Sequence, residues 1–324
     1  RWQTFARHRL FKMRQGEAME KRNFIIPEFG PLAGLRVIGA GSLIAMPFAA
    51  TMMADFGAEV IQIERPKIGD TYRSFPPLKK TEQGTAGSSW MQDARNRLSM
   101  TLELDLNDPD VKEIFFRLIE RSDIFIENMV WLDKLGIHDS ELLKINPLLV
   151  IVHVSGYGHK EFGGLPEICD QASYDMTSQA YSGYTLFNGY PDRDPLIVKP
   201  SLGDYITALF ALFGMLSAHI SAKNTGRGQV VDVSQFEAQA RVMRDAFTMS
   251  SLGLAEVQRC GTKAIGFQPW DLFTCRDGIY VSIGAIGKSV FERFMTAAGL
   301  DLERYPYEKT SKDKNAVNSP EGRE

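Results

Sequence analysis

From residue 35 onward, apolar runs of strand length alternate with segments whose apolar positions recur at helical spacing. The first two runs cover residues 35–38 and 59–64, and Ile44, Phe48 and Met52 recur every four residues between them. A strand, a helix and a second strand in this order are typical of a βαβ unit, whose strands pair in parallel. The pattern therefore predicts an α/β fold whose large domain is a doubly wound, Rossmann-like parallel sheet.

The same periodicity continues through most of the chain. It predicts further strands near residues 98–102, 124–126, 149–154 and 230–233. Helices are expected at residues 111–119, 174–181, 206–216 and 235–250, and a hairpin at residues 272–282. The helix around residues 206–216 is the most apolar, and we expect both of its sides to be buried. Residues 66–87 predict a long surface loop, and no strand or helix is specified beyond Leu300.

Composition and charge argue against several classes of protein. Lysine and arginine total 37 against 40 acidic residues, and the net charge of -3 predicts no overall attraction to nucleic acid or to an anionic membrane. The longest apolar stretch is shorter than the roughly 20 residues that a membrane span needs, so no membrane partner is expected. The three cysteines lack the spacing of a disulfide framework or a metal site, which favours a cytoplasmic location and predicts no metal.

The first βαβ unit carries part of a dinucleotide-binding pattern. Gly39 and Gly41 follow the first strand, and Glu64 ends the second. Ile44 occupies the position of the third glycine, where its branched side chain would crowd a pyrophosphate, so no nicotinamide cofactor is expected. Arg65 comes directly after Glu64, at the end of a strand where ligands of open sheets collect, and indicates a ring-stacking or phosphate contact.

Asp204 follows Gly203 at the start of the most apolar helix, and two interpretations are open. An aspartate at this place is an ordinary helix cap. It can also be a covalent nucleophile, because the glycine admits a bulky substrate and a helix start offers N–H donors for an oxyanion. His153 lies within an apolar run and is expected in the core, whereas His159 lies in a predicted loop without a partner at suggestive spacing.

Six short motifs follow one another in the first three quarters of the chain. They are PEFGPLAGLRV at 27–37, AMPFA at 45–49, FGAEVIQIE at 56–64, DIFIEN at 123–128, VHVSGYG at 152–158 and TGRGQVVDV at 225–233. Their order is similar to that of the class III coenzyme A transferases, over about residues 28–299. Within that family the chain looks most like the L-carnitine and bile-acid branch.

The resemblance implies a reaction between an acyl-CoA and a small carboxylic acid. The carboxylate at the position of Asp204 attacks the thioester, forms a mixed anhydride and releases CoA thiolate, and transfer proceeds through an aspartyl-CoA thioester. CoA is thus a substrate, and the reaction needs neither ATP nor a metal. The resemblance also implies CoA contacts at Arg65, Leu104, Asp105, Asn128, Lys134, Ala172 and Tyr174.

The resemblance further implies a domain organisation. Members of this family are longer, with a small domain in the middle and a C-terminal stretch that completes the large domain, and two chains interlock as a homodimer. We therefore predict a leader or added segment at residues 1–18, a large CoA-binding domain at residues 19–223, and a linker with an incomplete, truncated small domain at residues 224–324.

Two alternatives to the transferase remain open. Acyl-CoA racemases of the same superfamily use a histidine and an aspartate as paired bases, but Tyr174 stands where the histidine would be, and its usual pKa of about 10 makes it a poor base at neutral pH. The other alternative is an inactive CoA-binding fragment. The residues that line an acyl pocket are not decoded by any motif, and Trp131, Met176 and Phe187 are only candidates.

Overall fold

The structure is a computed structural model that describes residues 23–82, 84–129, 131–243, 245–254, 256–264 and 266–323. The predicted leader at residues 1–18 lies outside the described residues. The strands are β1 (Arg36–Ala40), β2 (Glu59–Glu64), β3 (Leu78–Thr81), β4 (Gly84–Gly87), β5 (Leu98–Thr101), β6 (Ile124–Glu127), β7 (Val150–Ser155), β8 (Gln229–Ser234), β9 (Trp270–Thr274) and β10 (Tyr280–Gly284).

The α-helices alternate with these strands. They are α1 (Ala45–Asp55), α2 (Ser88–Asp93), α3 (Pro109–Glu120), α4 (Asp139–Ile145), α5 (Asp175–Tyr181), α6 (Tyr184–Phe187), α7 (Leu202–Thr225), α8 (Gln235–Val242), α9 (Ala246–Ser251), α10 (Lys288–Ala297), α11 (Tyr307–Thr310), α12 (Lys314–Val317) and α13 (Pro320–Arg323). Short 3₁₀ helices cover Thr71–Ser74, Leu132–Leu135 and Lys160–Phe162.

The chain divides into two compact units. The first comprises the residues up to Ser182 together with Lys199–Met243, and the second comprises Gly183–Val198 together with residues 244–324. The first unit contains the main sheet, and the second contains the β9–β10 hairpin and the last helices. The domain boundaries given above, with their assignment to a leader, a CoA-binding domain and a small domain, stay a prediction.

The first unit is built on a six-stranded sheet with the order β5-β2-β1-β6-β7-β8, in which every pair of neighbours is parallel. The chain moves outward from β1 through β2 to β5, and then restarts beside β1 with β6 and moves outward the other way. This confirms the predicted α/β fold with a doubly wound parallel sheet. The order reverses between β1 and β6, and open sheets of this kind bind ligands at such a switch point, outside the carboxyl ends of the strands.

Buried side chains on both faces of the sheet hold the helices in place. Val37, Ile126 and Val152 contribute to the core that contains α1 and α7, whereas Ile38 and Phe125 contribute to the core that contains α3 and α4. Neighbouring residues of a strand point to opposite faces, so a strand covered on both sides reads as one continuous apolar run. This is why the central strands could be predicted from short apolar runs alone.

Helix α7 contacts the sheet with one side only. Its small residues, among them Ala208, Ala211 and Ala218, are buried against the sheet and α1. Its outer side chains Leu209 and Phe213 are 52% and 73% exposed. The expectation that both sides are buried is therefore wrong for this chain. By length and composition α7 is the one helix among the described residues that could cross a membrane, and the core helix of a soluble protein passes the same test.

Three other expectations need correction. The predicted loop at residues 66–87 contains the β3–β4 hairpin. The pattern missed it because β3 is exposed at every position and shows no apolar alternation. The helix expected at residues 235–250 is two helices, α8 and α9. The polar segment beyond Leu300 forms the four-residue helices α11, α12 and α13, which are too short for a periodic apolar face to mark them. The β9–β10 hairpin is confirmed.

Candidate active site

Asp204 lies in the first turn of α7, at the carboxyl edge of the sheet. Helix α7 ends at Thr225, and β8 begins at Gln229, which pairs with Val150 at the start of β7. Since α7 returns the chain to the amino ends of the strands, its own beginning lies at their carboxyl ends. The most apolar helix thus carries an acidic side chain to the edge where ligands of such sheets bind.

A glutamine from the end of the sheet contacts this carboxylate. Nε2 of Gln235 donates a hydrogen bond of 2.5 Å to Oδ1 of Asp204. Gln235 is the first residue of α8 and directly follows β8, so the edge of the sheet fixes its position. A second carboxylate lies close by, because Oδ1 of Asp175 accepts a hydrogen bond of 2.7 Å from the backbone N–H of Gly203. The starts of α5, α7 and α8 therefore meet at one point.

The surroundings of Asp204 keep its carboxylate poorly solvated. Burial and the nearby charge of Asp175 raise its pKa to about 7, against the opposing hydrogen bond from Gln235. At pH 7 about half of the molecules therefore carry the ionised form, and this form has few hydrogen bonds to lose before it attacks an electrophile. A half-buried, ionisable carboxylate at a helix start with a perturbed pKa is a candidate catalytic group.

Gly203 allows the close approach of the residues around Asp204. A Cβ at this position would lie 2.3 Å from Nε2 of Gln239, and that atom donates a hydrogen bond of 2.5 Å to the hydroxyl of Ser178. Gln239 lies one turn after Gln235 on α8. Both glutamines are buried, and their Oε1 atoms have no hydrogen-bond partner among the described residues. The site therefore holds two amide oxygens that a substrate N–H or O–H could use.

A cavity of about 260 Å³ lies at the switch point of the sheet. Its wall is formed by residues that follow β1, β2, β5 and β6, among them Ser42, Arg65, Leu104 and Met129. Arg65 is exposed. Two of the predicted CoA contacts, Arg65 and Leu104, are thus brought together in one cavity.

Glu64 also lines this cavity, but its carboxylate is used by the protein itself. Arg73 donates hydrogen bonds of 2.7 and 2.8 Å to its two oxygens, and Ser99 and the backbone N–H of Asp70 donate two more. Burial opposes ionisation, but these hydrogen bonds lower the pKa of Glu64 to about 2. Both oxygens are thus already engaged. A dinucleotide site needs an acidic residue that is free to bind the ribose, so Glu64 does not fit that role.

The other predicted contacts lie around the cavity or near Asp204. The amide of Asn128 bonds to the backbone N–H and C=O of Ser42, and Oδ1 of Asp105 accepts from Asn107. The ammonium of Lys134 lies 4.8 Å from the ring centroid of Trp131. The next residue, Leu135, lines the cavity.

Ala172 and Tyr174 are exposed and precede α5, on the side of the site that holds Asp175. The structure therefore divides the predicted contact residues between the cavity and the surroundings of Asp204. Whether they contact CoA stays a prediction. Gln235 and Gln239 were missed by sequence reasoning; their spacing of four residues, directly after a strand, is the one signal that could have found them.

The fold and the site together define an α/β protein with a cavity at the switch point and a half-buried carboxylate at the carboxyl edge. Residues 32–322 match the sequence model of CoA-transferase family III, and the chain belongs to this family.

Three curated relatives carry CoA-transferase names. The bile acid CoA-transferase BaiK of Clostridium scindens is 39% identical over 276 residues, which cover 85% of this chain and 59% of the relative. The succinyl-CoA–L-malate CoA-transferase alpha subunit of Chloroflexus aurantiacus is 34% identical over 82% of this chain and 61% of the relative. The L-carnitine CoA-transferase of Proteus mirabilis is 34% identical, with coverages of 85% and 64%. The chain thus spans about three fifths of the length of these relatives.

Solved structures agree with this assignment. A CAIB/BAIF family protein from Brucella suis superposes with a TM-score of 0.74 at 26% identity, over 89% of this chain and 74% of that protein. The protein Rv3272 from Mycobacterium tuberculosis has the same TM-score at 23% identity, over 90% and 75%, and supports the fold alone. The predicted resemblance to class III transferases of the carnitine and bile-acid branch is confirmed.

Proposed function

We propose that this chain carries the catalytic carboxylate and the CoA site of an enzyme that moves coenzyme A between an acyl-CoA thioester and a carboxylic acid. The observation that carries the proposal is the half-buried carboxylate of Asp204 with its raised pKa, which one glutamine holds at the carboxyl edge of the sheet. Membership of CoA-transferase family III supports the class of reaction.

In the proposed mechanism Oδ2 of Asp204 attacks the thioester carbonyl, because Gln235 already occupies Oδ1. The C–S bond breaks, CoA leaves as the thiolate, and an acyl-aspartyl anhydride remains. The thiolate then attacks the aspartyl carbonyl, which releases the donor acid and leaves an aspartyl-CoA thioester. The acceptor carboxylate displaces CoA from this thioester, and the thiolate finally takes up the acceptor's acyl group and restores Asp204. Each step exchanges one acyl bond for another, so no ATP is consumed.

The substrates that we propose are those named by the relatives. Bile acids, L-carnitine and the succinate–malate pair all present a carboxylate next to a bulky or polar body, and the relatives that act on them are 34–39% identical to this chain. We favour the bile-acid and carnitine classes, and we place the CoA nucleotide in the cavity lined by Arg65 and Leu104. The exposed position of Arg65 supports a contact with the adenine ring or a phosphate.

We further propose a cytoplasmic homodimer without a resident metal. The exposed apolar side chains of α7 support contact with a further protein surface. Cys169, Cys260 and Cys275 are free, as expected in a reducing compartment. Within the described part of the chain, no group of three or more His, Cys, Asp or Glu side chains could hold a metal ion. Light scattering of the purified protein tests for the dimer, and metal analysis by mass spectrometry tests for a resident metal.

Mass spectrometry of the chain and of its peptides tests the main proposal. The chain is mixed with bile-acid, carnitine, succinyl and acetyl CoA thioesters, treated with hydroxylamine and digested. A hydroxamate at Asp204 that is missing in Asp204→Asn supports the covalent transferase. A folded protein that binds CoA without forming an adduct contradicts it. If that protein also exchanges the α-proton of acyl-CoA in deuterium oxide without an acceptor acid, the isomerase alternative replaces the transferase.

A further inference from the structure

A buried series of hydrogen bonds runs from α4 to the edge of the cavity and takes no part in the proposed chemistry. Nδ1 of His153, on β7, lies 2.7 Å from Oε1 of Glu127 at the end of β6. Its Nε2 lies 3.0 Å from Oδ2 of Asp139 on α4. The other oxygen of Glu127 accepts a hydrogen bond of 2.6 Å from the backbone N–H of Met129. Four residues from three elements and one turn are thus linked.

This series ends on the wall of the cavity. Met129 lines the cavity. Asn128, between Glu127 and Met129, bonds to both backbone groups of Ser42, which lines the cavity from the turn after β1. Two parts of the wall therefore depend on where the end of β6 lies, and Glu127 fixes that end.

The contact between His153 and Glu127 cannot be replaced by water. His153 is 3% exposed and Glu127 is 1% exposed, whereas the side chain of Asp139 is 26% exposed. A buried carboxylate without a hydrogen-bonding partner is strongly destabilised, so Glu127 depends on the imidazole. Asp139 can turn to solvent. Glu127 therefore needs the contact with His153, whereas Asp139 does not. The Glu127 end of the series is the one that matters for the cavity.

The imidazole is held in its charged form. Burial opposes protonation, but the hydrogen bonds to Asp139 and Glu127 and the charges of both raise the pKa of His153 to about 10. Both ring nitrogens are then donors, which fixes the orientation of the ring between its two acceptors. The ring of His159 lies 5.0 Å away, centroid to centroid, but it pairs with Asp232 and not with this series. This partner lies 73 residues further along the chain, which is why no sequence spacing indicated it.

We propose that His153 is a positioning residue for coenzyme A: through Glu127 it holds the turn at Asn128 and Met129 in the place where that turn forms the wall of the cavity. The proposal rests on the proposed function in one respect, that this cavity takes part of CoA. It does not involve Asp204. Loss of the contact should therefore weaken CoA binding and raise KM for acyl-CoA, and should leave kcat almost unchanged.

Two substitutions separate the two ends of the series. The amide nitrogen of Asn in His153→Asn reaches about as far as Nδ1 and can still donate to Glu127. The amide nitrogen of Gln in His153→Gln reaches about as far as Nε2 and donates to Asp139 instead. Both variants are neutral and keep one donor, so a general effect of charge or packing changes them alike. His159→Gln serves as the control, because His159 is a neighbouring histidine that pairs with a different carboxylate, that of Asp232.

The experiment uses the whole 324-residue chain and two readouts. Calorimetry measures the Kd of CoA, and amide hydrogen exchange of ¹⁵N-methionine-labelled protein follows the N–H of Met129 without any ligand. We expect His153→Gln to weaken CoA binding about tenfold, as the loss of one hydrogen bond to a buried charge allows. We expect faster exchange of Met129 in that variant. His153→Asn and His159→Gln should stay within about threefold of the wild type in Kd.

Equal Kd values for the Gln and Asn variants would overturn the proposal, as would a fall in kcat with unchanged KM. If the wild-type chain binds no CoA, the proposed function fails. The exchange of Met129 then decides the positioning role by itself, and unchanged exchange in His153→Gln overturns it. If His153→Gln does not fold, Glu127→Gln replaces it. A glutamine has one accepting oxygen and one donating NH₂ group, so it cannot accept hydrogen bonds from both His153 and Met129 as the two carboxylate oxygens of Glu127 do. Normal exchange and normal Kd in that variant would overturn the proposal equally.

Discussion

Nε2 of Gln235 donates a hydrogen bond of 2.5 Å to Oδ1 of Asp204, and this contact joins the edge of the sheet to the first turn of its most apolar helix. It occupies one oxygen of the carboxylate and favours the ionised form, whereas burial and Asp175 favour the protonated form. The pKa of about 7 results from this opposition. Several properties of the protein should therefore depend on these two residues.

Replacement of the carboxylate should abolish transfer without unfolding the protein. In Asp204→Asn the amide oxygen can still accept from Gln235, but it cannot attack a thioester, so kcat should fall by about 10³-fold or more. Steady-state kinetics with acyl-CoA and an acceptor acid measure the effect. Asp110→Asn is the matched control, because Asp110 is also an acidic residue in the first turn of a helix but is exposed. Residual transfer above about a tenth of the wild-type rate would exclude Asp204 as nucleophile.

The same substitution should stabilise the protein at alkaline pH. Because the pKa of Asp204 is raised on folding from its usual value of 3.8 to about 7, the folded state binds the extra proton between these values. The contribution of this group to the free energy of unfolding is greatest below about pH 4, and it falls as the pH rises towards 7. Asp204→Asn removes this loss and should gain stability on the order of 3 kcal/mol at pH 8, but little at pH 4. Urea unfolding at both pH values tests it, and an equal effect at the two would contradict the raised pKa.

Activity should rise with pH through an acidic limb near neutrality. The nucleophile must be ionised, so kcat/KM should reach its plateau only above a pH of about 7. Gln235→Leu removes the hydrogen bond that favours the carboxylate and should move the limb to higher pH. Gln239→Leu removes an amide one turn further along α8 whose Nε2 bonds to Ser178. If both variants shift the limb equally, the contact with Gln235 is not its cause.

Much of this arrangement could be predicted from the sequence, and the reason is physical. The strands that carry the sheet are buried on both faces, so their apolar runs mark them without an alignment, and Asp204 was singled out as the acidic residue that opens the most apolar helix. The sequence does not decide whether that aspartate is a cap or a nucleophile, because a helix start has the same local pattern in both cases.

The remaining features depend on contacts between distant parts of the chain. Gln235 and Gln239 follow β8, and nothing in a glutamine pair indicates that it will face residues 31 or 61 positions earlier. His153 was expected in the core from its apolar neighbours, and it is buried there, but its two carboxylate partners come from β6 and α4. The exposed side of α7 was missed because composition gives the apolarity of a helix and not the surface it contacts.

Arg65 should determine affinity for the CoA nucleotide. It lines the cavity, and its exposed side chain can reach a ligand. Arg65→Ala should raise KM for acyl-CoA about tenfold with kcat unchanged. Arg117→Ala, which removes an exposed arginine that pairs with Glu113 on its own helix, should have no effect. Comparison with 3′-dephospho-CoA separates the two expected contacts: a loss in Arg65→Ala that persists with this analogue indicates the adenine ring, and a loss that disappears indicates the phosphate.

The stability of the fold should depend on Arg73, because Arg73 pairs with the buried carboxylate of Glu64. Arg73→Gln leaves the carboxylate of Glu64 with fewer hydrogen-bond donors, and the Glu64 side chain is only 2% exposed. The free energy of unfolding at pH 7 should therefore fall by about 3 kcal/mol. Since the pKa of Glu64 is lowered from its usual 4.5 to about 2, its contribution is full above about pH 4.5 and is lost as the pH falls towards 2. The difference between wild type and variant should therefore shrink on acidification. Urea titrations at pH 7 and at pH 3 measure it, with Arg95→Gln, which breaks the more exposed pair with Asp55, as the control. A difference that stays constant between these pH values would show that Arg73 stabilises the fold by packing on Trp90, whose ring centroid lies 4.2 Å away, and not by its charge.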